Sequence, residues 1–189
     1  MRFSIFAGSL ALVSIFVLGC ITPKGSNVHD KRNYVLSMKD ETLGELYNKR
    51  PEAKSKIKKA SGYAVFSNIN TNLFLFSSGN GYGVAIDGAD GKKTYMKMNF
   101  LGIGPGMGVK DFRAVFIFKN KQMFNEFVDG DFEFGGHADA AAKSGEKGAA
   151  AAGELYVEYD IEIYQMTEAG IALQAIVAGT YFREYTELN

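Results

Sequence analysis

Asp87 and Asp90 stand among Gly88 and Gly91, and Asp129 and Asp131 flank Gly130. Oxygen-rich loops of this kind can hold calcium. Neither follows the spacing of an EF-hand loop, and Asp-Gly is also ordinary hairpin chemistry. Turn formation is therefore the expectation, with no metal. His29 and His137 lie far apart with no cysteine beside either, and a zinc site needs three or four ligands together. Gly102, Gly104, Gly106 and Gly108 alternate as in a nucleotide-binding loop. A dinucleotide fingerprint needs a helix after the glycines, and here an apolar strand-like segment, residues 113–118, follows. No Gly-Lys-Ser/Thr triplet exists for a phosphate loop, and no Gly-x-Ser-x-Gly elbow for a serine hydrolase. The chain is expected to be neither an enzyme nor a cofactor carrier. One concentration of charge remains: Lys49, Arg50, Lys54, Lys56, Lys58 and Lys59. Each lysine near an anionic membrane surface is worth about 1 kcal/mol, screened by salt. Glu41, Glu45 and Glu52 nearby supply the competing reading, a solvated helix face.

Cys20 is the only cysteine, and it closes an apolar N-terminal run. Arg2 supplies a positive start, and residues 5–18 are broken only by Gly8, Ser9 and Ser14. Polar, turn-rich residues 22–27 follow. A charged start, a short apolar core and small residues at the cut describe a secretory signal peptide. A transmembrane helix needs about 20 apolar residues, more than this run supplies. Val17-Leu18-Gly19-Cys20 resembles a bacterial lipobox, in which the cysteine becomes the lipidated first residue of the mature protein. That resemblance implies a cleaved leader at 1–19, a lipidated tether at 20–33 and a domain at 34–189. Palmitate-type acyl chains add about 0.8 kcal/mol per buried methylene, so several together hold a protein on a bilayer. Under Gram-negative sorting an Asp after the lipidated cysteine favours the inner membrane. Ile21 stands there, so the outer membrane is expected, at its periplasmic face or surface.

Without residues 1–19 about 170 residues remain, enough for one domain with a real core. With no second cysteine, packing alone must hold that core. Lys plus Arg and Asp plus Glu both number 21, a balance that argues against nucleic acid as a partner. Glycine reaches 22 of 189, well above the usual share of about 7%, while proline is only 3.

A helical period begins at Val35, with Leu36, Leu43, Leu46 and Tyr47 on one side and Asp40 as a candidate cap. Pro51 suits the first turn of a second helix over 51–59. From Gly62 the period becomes two. Strands are predicted at 63–66, 73–76, 82–86, 94–99 and 113–118, with a turn at 79–81 and a hairpin loop at 87–91. A short helix is predicted at 121–129, with Met123, Phe124, Phe127 and Val128 inward. Gly/Ala-rich strands follow at 132–142 and 149–156, then strands at 161–166 and 170–177. The fold class is α+β: N-terminal helices, then a curved, mostly antiparallel multi-stranded sheet, barrel-like or sandwich, with one further short helix. The small residues of the late strands allow the close backbone approach that such curvature needs.

Several segments resemble the SYLF lipid-binding family. Ala60-Ser61-Gly62-Tyr63-Ala64-Val65-Phe66 looks like its opening, where a helix runs into an apolar strand. Residues 79–85 resemble its glycine-rich turn and strand, and residues 102–108 with 114–118 its central glycine strand and apolar partner. Residues 132–140 resemble its small-residue strand, and Tyr164 with Gly170-Ile171-Ala172-Leu173 its closing hairpin. The similarity spans residues 50–183. The chain departs from the pattern at Gln174-Ala175-Ile176-Val177-Ala178 and at Ser67-Asn68. The resemblance implies binding of membrane lipid or anionic headgroups, through the basic residues 49–59 in this chain. Two other functions fit the sequence: a structural envelope lipoprotein with a protein partner, and a carrier of a small apolar ligand inside the curved sheet.

Overall fold

The computed structural model describes residues 22–130, 132–134, 154–157, 160–167 and 180–189. Of residues 68–78, 100–112, 132–134, 154–157 and 167 it describes the backbone. Cys20, the leader, His137, Asp131, the small-residue stretch 135–150 and the expected strand at 170–177 lie outside these residues.

Helix α1 spans Val28–Lys49. It starts seven residues before the point at which the apolar period becomes visible, because Asn27 caps it. The Asn27 side chain accepts from the Asp30 backbone N–H at 2.9 Å, and Ser26 and Asn27 both donate to the Asp30 carboxylate. Part of the expected tether, residues 28–33, is therefore helix, and Asp40 lies mid-helix rather than at a cap. Helix α2 spans Glu52–Lys59 and follows Pro51, as its sequence predicts. Helix α3 spans Lys121–Asp129, capped by Asn120 and burying Phe124 and Phe127.

The short strands predicted between 63 and 118 are two long ones. Strand β1 is Gly62–Asp87 and β2 is Lys93–Phe118, paired antiparallel from Gly62↔Phe118 to Ile86↔Lys93. The expected turn at 79–81 is strand, with Asn80 opposite Asn99. Glycines there look like turn residues, yet Gly79 and Gly81 sit within the ladder, opposite Phe100 and Met98. The loop at 87–91 is a turn as expected: Gly91 takes φ +72°, and the Asp87 and Asp90 carboxylates accept from Ala89 and Lys92 N–H groups. The pairing shifts register between Phe74 and Phe76, opposite Pro105, which has no N–H for the ladder. Such a bulge bends the strand.

The shorter strands are β3 (Phe132–Phe134), β4 (Glu154–Val157), β5 (Ile161–Thr167) and β6 (Thr180–Glu184). Strands β5 and β6 pair with opposite ends of β2 on the edge that β1 leaves open. Strand β4 extends β5, and β3 extends β6, giving a six-stranded sheet. All pairs are antiparallel, and the described strands do not close into a barrel.

A straight 26-residue strand would run about 85 Å, far longer than a domain of this size. The hairpin instead curls until β1 meets itself. A Cβ on Gly83 would lie 2.3 Å from the Val65 carbonyl oxygen and 2.4 Å from the Phe66 ring. Only glycine permits that approach. Inside the curl lies an aromatic core of Phe66, Phe116, Phe118, Phe124, Phe127 and Phe182, with Met96, Met98, Ile161 and Ile163. Phe66 meets Phe182 at 4.9 Å and Phe116 at 5.8 Å between ring centroids. On the outer face, α1 contributes Val35, Met38, Leu43 and Leu46 to a second core. They pack with Val65, Val84, Ile86, Val115 and Ile117 from both ends of the hairpin, so α1 covers the seam.

Candidate functional site

The six basic residues of 49–59 do not form one patch. Lys49 pairs with Glu45 at 2.6 Å, one helical turn back. The Arg50 backbone N–H caps α1 on the Leu46 carbonyl, and its side chain is half-buried. Lys56 turns inward from α2, which also presents the buried Ala53 and the partly buried Ile57. Lys56 ion-pairs with Glu162 and donates to the Tyr164 hydroxyl at 2.9 Å. Tyr164 in turn donates to the same Glu162 oxygen at 2.5 Å, and Lys119 Nζ lies 3.9 Å from the other oxygen. The Glu162 side chain is 2% exposed and that of Lys56 32%. A carboxylate this deep is retained because it is paired and hydrogen-bonded. Lys56 is thus a fastening of α2 to β5, rather than an outward contact.

Lys54, Lys58 and Lys59 are exposed on α2, and among the described residues none of the three has an ion pair. Their ammonium groups face solvent on one short helix, which can bind a polyanionic surface but cannot order a small anion.

The fold adds basic residues that the linear reading missed. Ser61, just after α2, donates its N–H to the Phe118 carbonyl at 2.9 Å and its hydroxyl to the Lys119 carbonyl at 2.9 Å. Its own carbonyl accepts from the Gly88 N–H at 3.0 Å. Lys121 pairs with Asp87, which, with the Ala89 N–H, holds that carboxyl below the ordinary carboxylate value. The end of α2, the β1–β2 turn and the start of α3 are thereby laced together. Glu162 was also missed, although an acid inside an apolar strand, Ile161-Glu162-Ile163-Tyr164, is a signal for a buried partner.

Two other features surround these elements. An open cleft of about 750 Å³ lies between the turn, α3 and the C-terminal residues, lined by Arg32, Asp87, Lys92, Lys93, Tyr95 and Asn189 among others. Arg32 Nε donates to the Leu188 carbonyl at 2.7 Å, and the Asn189 side chain exchanges two hydrogen bonds of 2.8 Å with the Tyr95 backbone. Under α1, Tyr82 lies 5.9 Å from Tyr34, ring to ring, and its phenol is pushed up by burial and then by its hydrogen bond to Tyr34. Among the described residues no group of His, Cys, Asp and Glu could hold a metal ion, and no helix is long and apolar enough to cross a membrane.

No known family's sequence profile matches the chain. It is 34% identical to Beta cell expansion factor A of Aeromonas veronii over 155 residues, which is 81% of this chain and 57% of that protein. The chain thus spans little more than half the length of this relative.

Proposed function

We propose that this chain is a lipid-anchored envelope protein whose domain binds anionic membrane lipid and catalyses nothing. Its SYLF-like segments, its lipobox-like Val17-Leu18-Gly19-Cys20 and its exposed basic helix agree in that reading. The observation that carries it is the exposure of Lys54, Lys58 and Lys59 on one side of α2 while Lys56 holds that helix to the sheet. The anchor at Cys20 would place the domain beside a bilayer, and the lysines would add an electrostatic contact of about 1 kcal/mol each. The outer membrane of a Gram-negative envelope is the proposed location, from Ile21 after the anchor.

Flotation with neutral and anionic vesicles tests this, using protein that begins at Thr22 and so carries no acyl chain. The expected result is binding to anionic vesicles alone, lost at high salt and after Lys54→Gln, Lys58→Gln and Lys59→Gln together. Absence of flotation with either vesicle would defeat the reading and favour a protein partner. A lipid that copurifies with the protein and resists salt would favour a carrier.

A further inference from the structure

We propose that the domain docks on an anionic phospholipid bilayer through the end of the fold that carries the β1–β2 turn, with Lys58, Lys59, Lys92, Lys93 and Lys119 as its contact charges. This rests on the lipid-binding reading above and names the face that performs it.

Three segments remote in sequence meet at this end. Ser61 ties the end of α2 to Phe118 and Lys119 and to Gly88 in the turn. A Cβ on Gly88 would lie 2.3 Å from the Ala60 carbonyl oxygen, so turn and helix end touch backbone to backbone. Lys58, Lys59, Lys92, Lys93 and Lys119 are all exposed there. Three of the acids close by are engaged in the fold, while Asp129 and Glu184, both exposed, line the cleft beside Lys92 and Lys93. Asp87 is held by Lys121 and the Ala89 N–H. Asp90 accepts from the Lys92 N–H at 2.8 Å. Glu162 is 2% exposed beneath Lys56 and Lys119.

Screening makes such gathering matter. At physiological salt a charge more than about 10 Å from a bilayer contributes little. Lysines scattered round the molecule would not add, whereas lysines at one end do. Helix α2, with eight residues, is about 12 Å long, so Lys58 and Lys59 belong to the turn end while Lys49 and Arg50 lie at the other.

The entry of the chain selects the same end. Arg32, in the second turn of α1, lines the cleft with Lys92 and Lys93. The seven residues from Cys20 to the cap at Asn27 reach at most about 25 Å. The far end of the 22-residue α1 is about 33 Å further on. A bilayer holding Cys20 therefore meets the turn end first.

The test uses the full chain, lipidated and reconstituted on vesicles of phosphatidylcholine alone or with phosphatidylglycerol, and reads acetylation of each lysine by mass spectrometry. Lys58, Lys59, Lys92, Lys93 and Lys119 are expected to be protected several-fold on the anionic vesicles at low salt, but not on neutral ones or at high salt. Lys39 and Lys49 label equally on both. Each basic contact is worth roughly fivefold in partitioning, so Lys92→Glu with Lys93→Glu and Lys119→Glu should abolish the protection of Lys58 and Lys59. If that variant fails to fold, Lys93→Gln, an exposed turn change, should still weaken it. Protection of Lys49 and Lys54 with Lys92, Lys93 and Lys119 labelled freely would overturn this face and leave the lipid-binding reading standing. Equal labelling of every lysine on both vesicles would overturn both.

Discussion

Lys56 shows how a residue's role changes once its neighbours are known. In the sequence it is one of six basic residues in a run. In the fold it satisfies a buried carboxylate, with Tyr164 as a third member. Removing one partner of such a pair costs more than removing both, because a charge is left unpaired. Glu162→Ala is expected to destabilise the protein by about 1–3 kcal/mol, the cost of an unsatisfied polar partner tempered by the 32% exposure of Lys56. The double change Lys56→Met with Glu162→Leu should recover most of that loss, as measured by urea denaturation. Tyr82 supplies a second expectation at this scale. Burial first, then the hydrogen bond its hydroxyl donates to Tyr34, raise its phenol above the ordinary 10.0. Burial raises Tyr47, Tyr63 and Tyr95 as well. The folded state thus favours the neutral phenols. That stability is complete below pH 10 and is lost as pH climbs through the raised folded values. Alkaline unfolding should coincide with a late, cooperative rise in phenolate absorbance.

The elements owe their shape to a few backbone requirements. Asn27 and Asp30 form a cap that was present in the sequence, yet the apolar period hid it by beginning later. The long β1–β2 hairpin was read as several strands because Gly79-Asn80-Gly81 looks like a turn. Local chemistry cannot tell a turn glycine from one that admits a neighbouring strand. Gly83 is the second kind, and its replacement tests the curl. Gly83→Val should cost about 1–3 kcal/mol or more, with a lower denaturant midpoint and an unchanged slope, because the Val65 carbonyl has no room to move. Helix α3 was legible in full, since its apolar residues at 123, 124, 127 and 128 keep one face and Asn120 caps it.

At the scale of the whole molecule, a neutral chain carries its charge unevenly. Lysines from three segments collect at the turn end, while the aromatic core and the α1 seam hold the buried apolar residues among those described. The salt dependence proposed for membrane binding is a consequence of that placement, since screening discounts charges that are apart. The sequence by itself determined the α+β class, the three helices, the 87–91 turn and the alternation that sorts β1 and β2 into two faces. These are local or periodic properties, written in residues close together. It also held the lipobox-like motif and the basic run. Only the tertiary structure decided that Lys56 belongs to Glu162, that Lys119 and the 92–93 pair join α2, and that the hairpin curls on Gly83. Those facts depend on contacts between segments apart in sequence, from the 18 positions between Val65 and Gly83 to the 106 between Lys56 and Glu162, and no local pattern encodes such a partner.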